Sequence, residues 1–375
     1  MRLVIADKVP EDTLVLAEKI VTQFGALGEP SYLHYYGKEP DLSLRKQRVD
    51  GDLIEGAEVV IFRSDTEFKD GIKGTPKLMA RAGIGVDNLN LQYCDGHTIT
   101  AINTPAAPAE AVPEHVLALT LALAKQIVAT RDLTREDSTK WYKSQTKPRL
   151  LKDLTLGIVG LGNIGVEVAL MFKPLVKGIV AWDPFVKSAI RERVPFVQMI
   201  NDLGDMMSTV DVTSVHLPKI VGSDGTVGII NESNLARMKT GAYLIDASRG
   251  GVVNEIDLLK VLDEGRIFAG IDVYEQEPKG GKLWIPSRLR IHPRVVATDH
   301  IASSPESVTR ECIHDILGFI VAKSRLPKVS VLAHDKIIID PADLRRLAEV
   351  QRARVVTRSD YLNGSLVPQK LKQIR

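Results

Sequence analysis

Three closely spaced glycines give this chain its clearest chemical signal. The apolar run from Leu156 to Val159 predicts a short buried strand. Gly160, Gly162 and Gly165 follow it in the pattern G-x-G-x-x-G. In this pattern the first glycine permits a tight turn, the second leaves room for a pyrophosphate to approach the backbone, and the third lets a helix pack closely on the strand. The flanking strand and helix favour a dinucleotide site over a purely structural turn.

Residues near the glycines indicate which dinucleotide would bind. A helix that opens at Asn163 and Ile164 would direct its free N–H groups at the phosphates. Asp183, in the segment AWDP, lies eighteen positions beyond the last glycine, and it should accept hydrogen bonds from the hydroxyls of the adenosine ribose. Its negative charge would repel a 2′-phosphate, so the sequence favours NAD over NADP.

A single arginine follows one of the predicted strands. Arg249 lies in DASRGGVVNE, just past the predicted strand from Tyr243 to Asp246. The carboxyl ends of strands in an open α/β sheet face the ligand crevice, and a guanidinium there can hold a carboxylate through paired hydrogen bonds. A surface arginine that caps a loop would explain the residue equally well, so the residues alone leave both interpretations open.

A histidine and two acids also follow predicted strands. Glu277 lies in GIDVYEQEP and His300 in ATDHIASSP. A carboxylate beside an imidazole favours the protonated ring, which can donate a proton to a carbonyl oxygen. Asp272, at the end of the strand that precedes Glu277, could accept a hydrogen bond from the carboxamide of a nicotinamide. Purely structural roles in loops and at strand ends stay open for all three side chains.

Strands and helices alternate along the chain, as they do in α/β proteins. A first unit, reaching about residue 102, contains apolar strand segments at 3–6, 32–35 and 59–62, separated by polar or helical segments. Pro105, Pro108 and Pro113 then predict a loop, which a long apolar helix from Glu114 to Thr130 follows.

From Leu154 onward, strands and helices follow each other with little interruption. The strands are nearly continuous in apolar character, which a parallel sheet covered on both faces requires. They are predicted at 156–159, 179–182, 210–216, 243–246 and 267–273. This part of the sequence therefore predicts a doubly wound parallel sheet.

Bulk properties narrow the class of protein. The chain has 375 residues, of which 44% are hydrophobic and 26% charged, and its net charge is +2. These values are typical of a globular chain of two or three domains, and they give no reason to expect nucleic acid as a partner. Two cysteines, Cys94 and Cys312, suit a reducing compartment. The N-terminus lacks a secretory signal, and the apolar run from Val116 to Ala124 is too short to span a bilayer. We expect a cytoplasmic protein that binds no membrane.

The last part of the chain is basic. From Lys323 onward there are twelve Lys or Arg and five Asp or Glu. Basic tails can bind nucleic acid, but Tyr361 supplies the only aromatic ring in this segment. A solvated packing extension is therefore the favoured interpretation of the tail.

The motifs occur in an order found in one known family. From Leu3 to Lys323 the chain resembles the D-isomer-specific 2-hydroxyacid dehydrogenase family. The matching segments are RAGIGVDN at 81–88, GLGNIG at 160–165, VHLP at 215–218, DASRGGVVNE at 246–255, DVYEQEP at 272–278 and HIASS at 300–304. Specific segments in the family's own order make a chance match a poor explanation.

The resemblance implies a role for each matching residue. Arg249 would orient the substrate carboxylate and polarise the keto oxygen. His300 would be the general acid–base, with Glu277 as its charge partner, and the backbone around Ile84 and Gly85 would hold the carboxylate. No metal is implied. The residues that would contact the cofactor, NAD, are Gly160, Gly162, Asn163, Ile164, Gly165, Asp183, His216, Leu217, Pro218, Ala247, Asp272 and His300.

The resemblance also implies an architecture, an α/β chain with two Rossmann-like, doubly wound parallel-sheet domains and a cleft between them. Residues 1–103 and 300–330 would form the substrate-binding domain, and residues 104–299 the NAD-binding Rossmann domain. Residues 331–375 would be the basic C-terminal extension. Two chains would form a homodimer through their NAD domains.

Within the family, the chain is most similar to the D-3-phosphoglycerate dehydrogenase branch. Arg63, in FRSDT, and Arg81 match two arginines that hold the substrate phosphate in that branch. Two converging guanidiniums would suit a dianionic group. In the alternative interpretation, both arginines pair with Asp65 and Asp87 and bind no substrate.

Two segments depart from the family's pattern. The family often has a polar Asn-Gly-Asn-like loop after its Asn-x-Pro turn, whereas this chain has Ala106, Ala107 and Pro108. That change removes polar contacts near the substrate. Asp299 stands where the family usually has a proline before the catalytic histidine. A second acid beside His300 could favour the imidazolium further or alter the loop.

The function implied is that of an NAD-dependent oxidoreductase that interconverts a D-2-hydroxyacid and its 2-keto acid. D-3-phosphoglycerate is the favoured substrate, and an unphosphorylated 2-hydroxyacid is the next choice. An alternative from another class is an NAD-sensing corepressor of the same fold, which would retain Arg249, Glu277 and His300 as well. The use of NAD without net redox, as in adenosylhomocysteine hydrolase, lacks support because that enzyme's motifs are absent.

Overall fold

The structure of the chain is a computed structural model. It describes residues 1–26, 32–35, 56–64, 66, 68, 75–222, 225–278 and 285–323, with the strand segments 331–333, 337–339 and 354–355. The chain divides into two compact units. The first consists of the segment Met1–Pro108 and the segment that begins at Ser304. The second begins at Ala109 and ends at Ser303. These divisions lie a few residues beyond the predicted boundaries at 103 and 300. Most of the predicted extension, 331–375, lies outside the described residues.

The first unit contains a mostly parallel sheet. Leu3 and Ile5 on its strand β1 pack into one apolar cluster, and Val4 between them packs into another. The sheet is therefore covered on both faces, because successive side chains of a strand point to opposite sides. The strand order is β5-β4-β3-β1-β2, and the segment Arg354–Val355 pairs antiparallel with β5. The strands are β1 Arg2–Ile5, β2 Tyr32–Tyr35, β3 Val59–Phe62, β4 Leu78–Arg81 and β5 Thr100–Asn103.

The second unit contains a parallel sheet in the order β12-β11-β10-β9-β6-β7-β8. Its strands pair in parallel along the whole order. The chain order reverses between β6 and β9, which is where open α/β sheets bind ligands. The prediction of an α/β fold with doubly wound parallel sheets is confirmed. The strands are β6 Thr155–Val159, β7 Gly178–Trp182, β8 Gln198–Met199, β9 Val212–Val215, β10 Tyr243–Asp246, β11 Phe268–Ile271 and β12 Val295–Ala297.

Helices connect the strands in both units. Two short 3₁₀ helices, Leu151–Asp153 and Arg288–Ile291, supplement them. The α-helices are α1 Glu11–Ala26, α2 Leu91–Gly96, α3 Ala106–Ala124, α4 Ile127–Glu136, α5 Asn163–Phe172, α6 Ser188–Arg193, α7 Leu203–Thr209, α8 Glu232–Leu235, α9 Glu255–Asp263 and α10 Glu306–Lys323.

The prediction of a proline-marked loop and one helix from Glu114 to Thr130 is wrong. The segment forms two helices, α3 and α4, and both Pro108 and Pro113 lie within α3. Pro108 lies in the first turn, where a backbone N–H would have no partner within the helix. Burial of the α3 side chains then stabilises the helix despite Pro113. The break before α4 lies at Gln126, whose φ of 53° is left-handed.

No single described helix is long and apolar enough to cross a membrane. The helices α3 and α4, bent by 52° at their break, satisfy that test together by length and composition.

Candidate active site

The glycine turn after β6 has the shape that a dinucleotide needs. Gly160 has a φ of 93°, and a Cβ there would lie 2.9 Å from the carbonyl oxygen of His216. A Cβ on Gly165 would lie 2.2 Å from the carbonyl oxygen of Gly160, so α5 packs directly against the turn. A Cβ on Gly162, by contrast, would meet nothing within 4 Å. The turn therefore packs against other backbone atoms at Gly160 and Gly165 but leaves free space at Gly162, as a bound pyrophosphate requires.

Asp183 lies beside this turn, at the end of β7. Its Oδ2 accepts a hydrogen bond from the backbone N–H of Leu161 at 2.9 Å, and its Oδ1 accepts one from Phe185 at 2.8 Å. The carboxylate is thus tied to the glycine turn, and each oxygen still has a lone pair for a ribose hydroxyl. The predicted ribose contact itself stays a prediction.

The segment His216 to Pro218 follows β9, next to the glycine turn. The Nε2 of His216 lies 2.8 Å from the Ser214 hydroxyl. Its Nδ1 is buried and has no hydrogen-bond partner among the described residues. Burial lowers the pKa of His216 to about 3, so the ring is neutral. A buried nitrogen without a hydrogen-bond partner among the described residues suits a site where a polar ligand supplies that partner. NAD has polar groups that can do so.

Arg249 lies on the turn that follows β10. Asp246, at the end of that strand, accepts hydrogen bonds from the backbone N–H of Ser248 at 3.0 Å and from its hydroxyl at 2.6 Å. The Nη1 of Arg249 donates to the Ser248 carbonyl at 2.7 Å. Burial raises the pKa of Asp246 to about 7, although both hydrogen bonds from Ser248 oppose that rise. The arginine thus stands on a turn that a buried acid holds in place.

The turns after β10 and β11 approach each other very closely. A Cβ on Gly250 would lie 1.6 Å from the carbonyl oxygen of Tyr274. The residue at this position must therefore be glycine, since the atoms that a Cβ would meet belong to the backbone and not to a movable side chain. This contact brings the turn of Arg249 next to the segment that carries Glu277.

The side chains of His300 and Glu277 are hydrogen-bonded to each other. The Nδ1 of His300 lies 2.8 Å from Oε2 of Glu277 and 3.0 Å from Oε1. About a third of each side chain is exposed, 36% for the histidine and 30% for the glutamate. The pair is therefore accessible to a ligand yet partly shielded from water. Twenty-three residues separate the two in sequence, and the structure brings them together as predicted.

Asp272 is fully buried, and most of its hydrogen-bond donors lie in the segment that carries His300. Its Oδ1 accepts hydrogen bonds from the Thr298 hydroxyl at 2.6 Å and the Ile301 N–H at 2.9 Å, and its Oδ2 accepts one from the Ala302 N–H at 3.0 Å. Burial tends to raise the pKa of Asp272, but the hydrogen bonds from His115 and these residues outweigh it and lower that pKa. The predicted contact with nicotinamide stays a prediction.

Sequence reasoning missed His115 as part of this site. The residue lies on α3, and its Nε2 is 3.0 Å from the Thr298 hydroxyl and 3.5 Å from Oδ1 of Asp272. A histidine directly before the apolar run from Val116 to Ala124 is the signal that could have identified it. No spacing rule could have paired it with Thr298, because 183 residues separate them.

Of the predicted substrate residues, Arg249 lies in the second unit, whereas Arg63, Arg81, Ile84 and Gly85 lie in the first. Asn103 donates to the Ile84 carbonyl at 2.7 Å, next to Gly85. The Asn88 amide donates to the Arg63 carbonyl at 2.5 Å, so the loop after β3 is fixed as well. Arg81 ends β4, and its guanidinium occupies the space that a side chain on residue 83 would need. Asp65, one of the alternative partners for these arginines, lies outside the described residues.

Comparison with known proteins agrees with this geometry. Residues 117–302 match the family model described as D-isomer specific 2-hydroxyacid dehydrogenase, NAD binding domain. The chain is 34% identical over 262 residues to a hydroxypyruvate reductase of Thermotoga maritima, covering 69% of this chain and 82% of the relative. It is 32% identical to a D-3-phosphoglycerate dehydrogenase of Synechocystis, over 73% of this chain and 49% of the relative. The chain thus spans about half the length of that relative.

Solved structures show the same fold. A D-lactate dehydrogenase of Treponema pallidum superposes with a TM-score of 0.64 at 26% identity, covering 84% of this chain and 93% of that one. A protein of Thermus thermophilus superposes with a TM-score of 0.67 at 26% identity, covering 86% and 96%. The glycine turn, the strand-end residues and these matches lead to one assignment. The chain belongs to the D-isomer-specific 2-hydroxyacid dehydrogenase family, and NAD is the cofactor of its second unit.

Proposed function

We propose that the chain catalyses reversible, NAD-dependent interconversion of a D-2-hydroxyacid and its 2-keto acid. The observation that carries this proposal is the contact between His300 and Glu277, whose Nδ1 and Oε2 atoms lie 2.8 Å apart in the unit that also holds the glycine turn. A carboxylate-supported imidazole is the group that most often exchanges protons in catalysis near neutral pH. When bound, NAD supplies the hydride acceptor for the alcohol carbon.

Glu277 orients the imidazole and stabilises its protonated form. Its carboxylate accepts the hydrogen bond from Nδ1–H, so proton exchange with the substrate oxygen takes place at Nε2. In the direction of reduction, the imidazolium of His300 donates a proton to the carbonyl oxygen. In the direction of oxidation, the neutral ring accepts the proton of the substrate hydroxyl.

Arg249 binds the substrate carboxylate in this proposal and polarises the keto oxygen. The guanidinium can form two parallel hydrogen bonds to a carboxylate, which fixes the orientation of the 2-carbon. The turn from Asp246 to Gly250 supports it by the hydrogen bonds described above.

The favoured substrate is a phosphorylated hydroxyacid such as D-3-phosphoglycerate. Relatives that bear the name D-3-phosphoglycerate dehydrogenase support this choice, and the hydroxypyruvate reductase supports the unphosphorylated alternative. Arg63 directly follows β3, and Arg81 is the last residue of the adjacent strand β4, where it pairs with Phe62. Two guanidiniums at neighbouring strand ends suit a phosphate dianion.

A panel of 2-keto acids, followed by the loss of NADH absorbance, tests the proposal. We expect turnover with phosphohydroxypyruvate and less with hydroxypyruvate. Absence of turnover across the panel, with NADH binding retained in a fluorescence titration, would contradict an enzymatic role. That result would favour the corepressor class, in which the cofactor controls assembly.

Replacing Arg63 or Arg81 by alanine should raise KM for phosphohydroxypyruvate by about 10–100-fold, because each change removes a charged hydrogen-bond donor to the phosphate. KM for hydroxypyruvate should change little. The exposed Arg237, which follows α8 in the second unit, provides the control substitution Arg237→Ala. Equal increases of KM for both substrates would remove the basis for a phosphate ester.

Replacing Asp183 by asparagine should narrow the preference for NAD over NADP by about tenfold or more, since about 1.4 kcal/mol corresponds to that factor. Asparagine keeps an oxygen that can accept from the Leu161 N–H but lacks the charge that repels a 2′-phosphate. The ratio of kcat/KM for the two cofactors measures the effect. An unchanged ratio would show that Asp183 does not select the cofactor.

We also propose that two chains assemble through their second units, in a reducing, cytoplasmic compartment. No residue of α4 is buried, and Trp141 and Ile127 are 87% and 57% exposed. Such apolar exposure suits a surface that another copy covers, and light scattering of the purified chain tests it.

Cys94 and Cys312 are free and buried, and burial raises the pKa of each thiol to about 11.

A further inference from the structure

Hydrogen bonds with Asp272 and Tyr274 hold the segment that carries His300. We name residues 298–302 the His300 loop. Asp272 accepts three hydrogen bonds from this loop through its carboxylate, and its carbonyl accepts a fourth from the His300 N–H at 2.7 Å. Tyr274 donates its hydroxyl hydrogen to the Thr298 carbonyl at 2.9 Å. None of these contacts involves the side chain of Asp299.

Asp299 forms a two-pronged ion pair with Arg290. The Nε of Arg290 lies 3.1 Å from Oδ1 of Asp299, and its Nη2 lies 2.8 Å from Oδ1 and 3.0 Å from Oδ2. Arg290 belongs to the 3₁₀ helix Arg288–Ile291 and is 28% exposed, whereas Asp299 is 67% exposed. This geometry uses the planar fork of the guanidinium and is more directional than a single contact would be.

The backbone of His300 needs such support. Its φ of 54° is left-handed, a conformation that costs free energy for a residue with a Cβ and persists where the surroundings enforce it. The hydrogen bond from its own N–H fixes one side of the residue. The Arg290–Asp299 pair fixes the residue immediately before it.

We propose that Arg290 and Asp299 are positioning residues, which hold His300 in its left-handed conformation and set the charge that its imidazole experiences. The inference rests on the proposed acid–base role of His300. The ion pair fixes the loop and, in the same contact, neutralises the acid next to the ring of His300.

Acidic groups surround His300 on several elements. Glu277 contacts its ring, Asp246 at the end of β10 interacts with it electrostatically, and Asp272 lies at the end of β11. His115, on α3, contacts Asp272 from the other side. Asp299 adds a further negative charge on the loop itself, which Arg290 offsets. Removing Arg290 should therefore favour the protonated form of His300, and removing the charge of Asp299 should disfavour it.

The test measures the titration of His300 in two ways. The first is the pH dependence of kcat for keto acid reduction. This kcat should fall as the imidazolium loses its proton. The second is NMR titration of the labelled imidazole without turnover. Arg290→Ala leaves Asp299 unpaired, so the titration midpoint should move to higher pH. Asp299→Asn leaves the cation of Arg290 uncompensated, so the midpoint should move to lower pH.

Each shift should be about 0.2–0.7 pH unit, the size expected for partly exposed charges, and added salt should diminish it. The double variant should lie between the two single variants. Both single variants should also lower kcat by about three- to tenfold through misplacement of the ring, with KM nearly constant. A merely structural role would not produce opposite shifts.

Arg288→Ala is the matched control, because Arg288 lies on the same 3₁₀ helix but contacts Asp263 at 3.6 Å. It should leave both titrations unchanged. Shifts in the same direction for the two test variants, or none, would overturn the proposal. Opposite NMR shifts with an unaffected pH profile of kcat would uphold the ion pair's effect on His300 and instead contradict the acid–base role of that residue.

Discussion

Replacing His300 by alanine is expected to lower kcat by about 10²–10⁴-fold, the range by which general acid–base catalysis accelerates reactions. The alanine variant has no group that can protonate the keto oxygen, whereas the glycine turn that fits NAD is untouched. Affinity for NADH should therefore be nearly unchanged. Steady-state kinetics with the best keto acid, and a fluorescence titration with NADH, measure the two quantities separately.

Two further variants sharpen this prediction. Glu277→Gln should lower kcat less than His300→Ala does, because the amide still accepts a hydrogen bond from Nδ1 but no longer stabilises the imidazolium. His97→Ala is the control, since His97 is an exposed histidine of the first unit that stacks on Tyr93. Near-normal turnover by the His300 variant would refute the role of this residue.

Adding one methyl group at each of three glycines of the second unit should give three different results. Gly165→Ala would place a Cβ 2.2 Å from the carbonyl oxygen of Gly160, so it should reduce stability by about 1–3 kcal/mol and weaken NADH binding as well. Gly162→Ala meets no protein atom within 4 Å. It should fold normally and yet weaken NADH binding by about tenfold or more, which corresponds to about 1.4 kcal/mol.

Gly178→Ala completes the series as a control, because a Cβ at this position in β7 also meets nothing within 4 Å. It should alter neither quantity. Thermal unfolding without ligand gives the stability, and titration with NADH gives the affinity. If Gly162→Ala bound NADH as tightly as the unaltered protein, the pyrophosphate could not lie against this turn.

The strands and the glycine turn could be predicted because their signals are local. An apolar run of four or five residues between turn residues suffices to indicate β6 or β10, and the glycine spacing reports a requirement of the backbone itself. The strand at 243–246 was predicted with the bounds that β10 has. The rule that strand ends carry the ligand site then indicated Arg249, Glu277 and His300 without any contact being known.

The features that could not be predicted depend on packing between distant segments. Pro113 reads as a helix breaker on local grounds, but the buried face of α3 outweighs that preference. The partners of Asp272 come from a loop about thirty residues away and from α3. The sequence placed Asp299 next to His300, but nothing in it indicated that Arg290 would meet the acid.

The side chains proposed to exchange the proton and to bind the carboxylate, and those proposed to bind a phosphate, belong to different units. Arg249, Glu277 and His300 all lie in the unit that ends at Ser303, whereas Arg63 and Arg81 lie in the one that begins at Met1. Substitutions confined to the first unit could therefore change the proposed phosphate contacts while the glycine turn and the His300–Glu277 contact are inherited unchanged. Such a division would allow similar proteins to carry names as different as phosphoglycerate dehydrogenase, hydroxypyruvate reductase and lactate dehydrogenase.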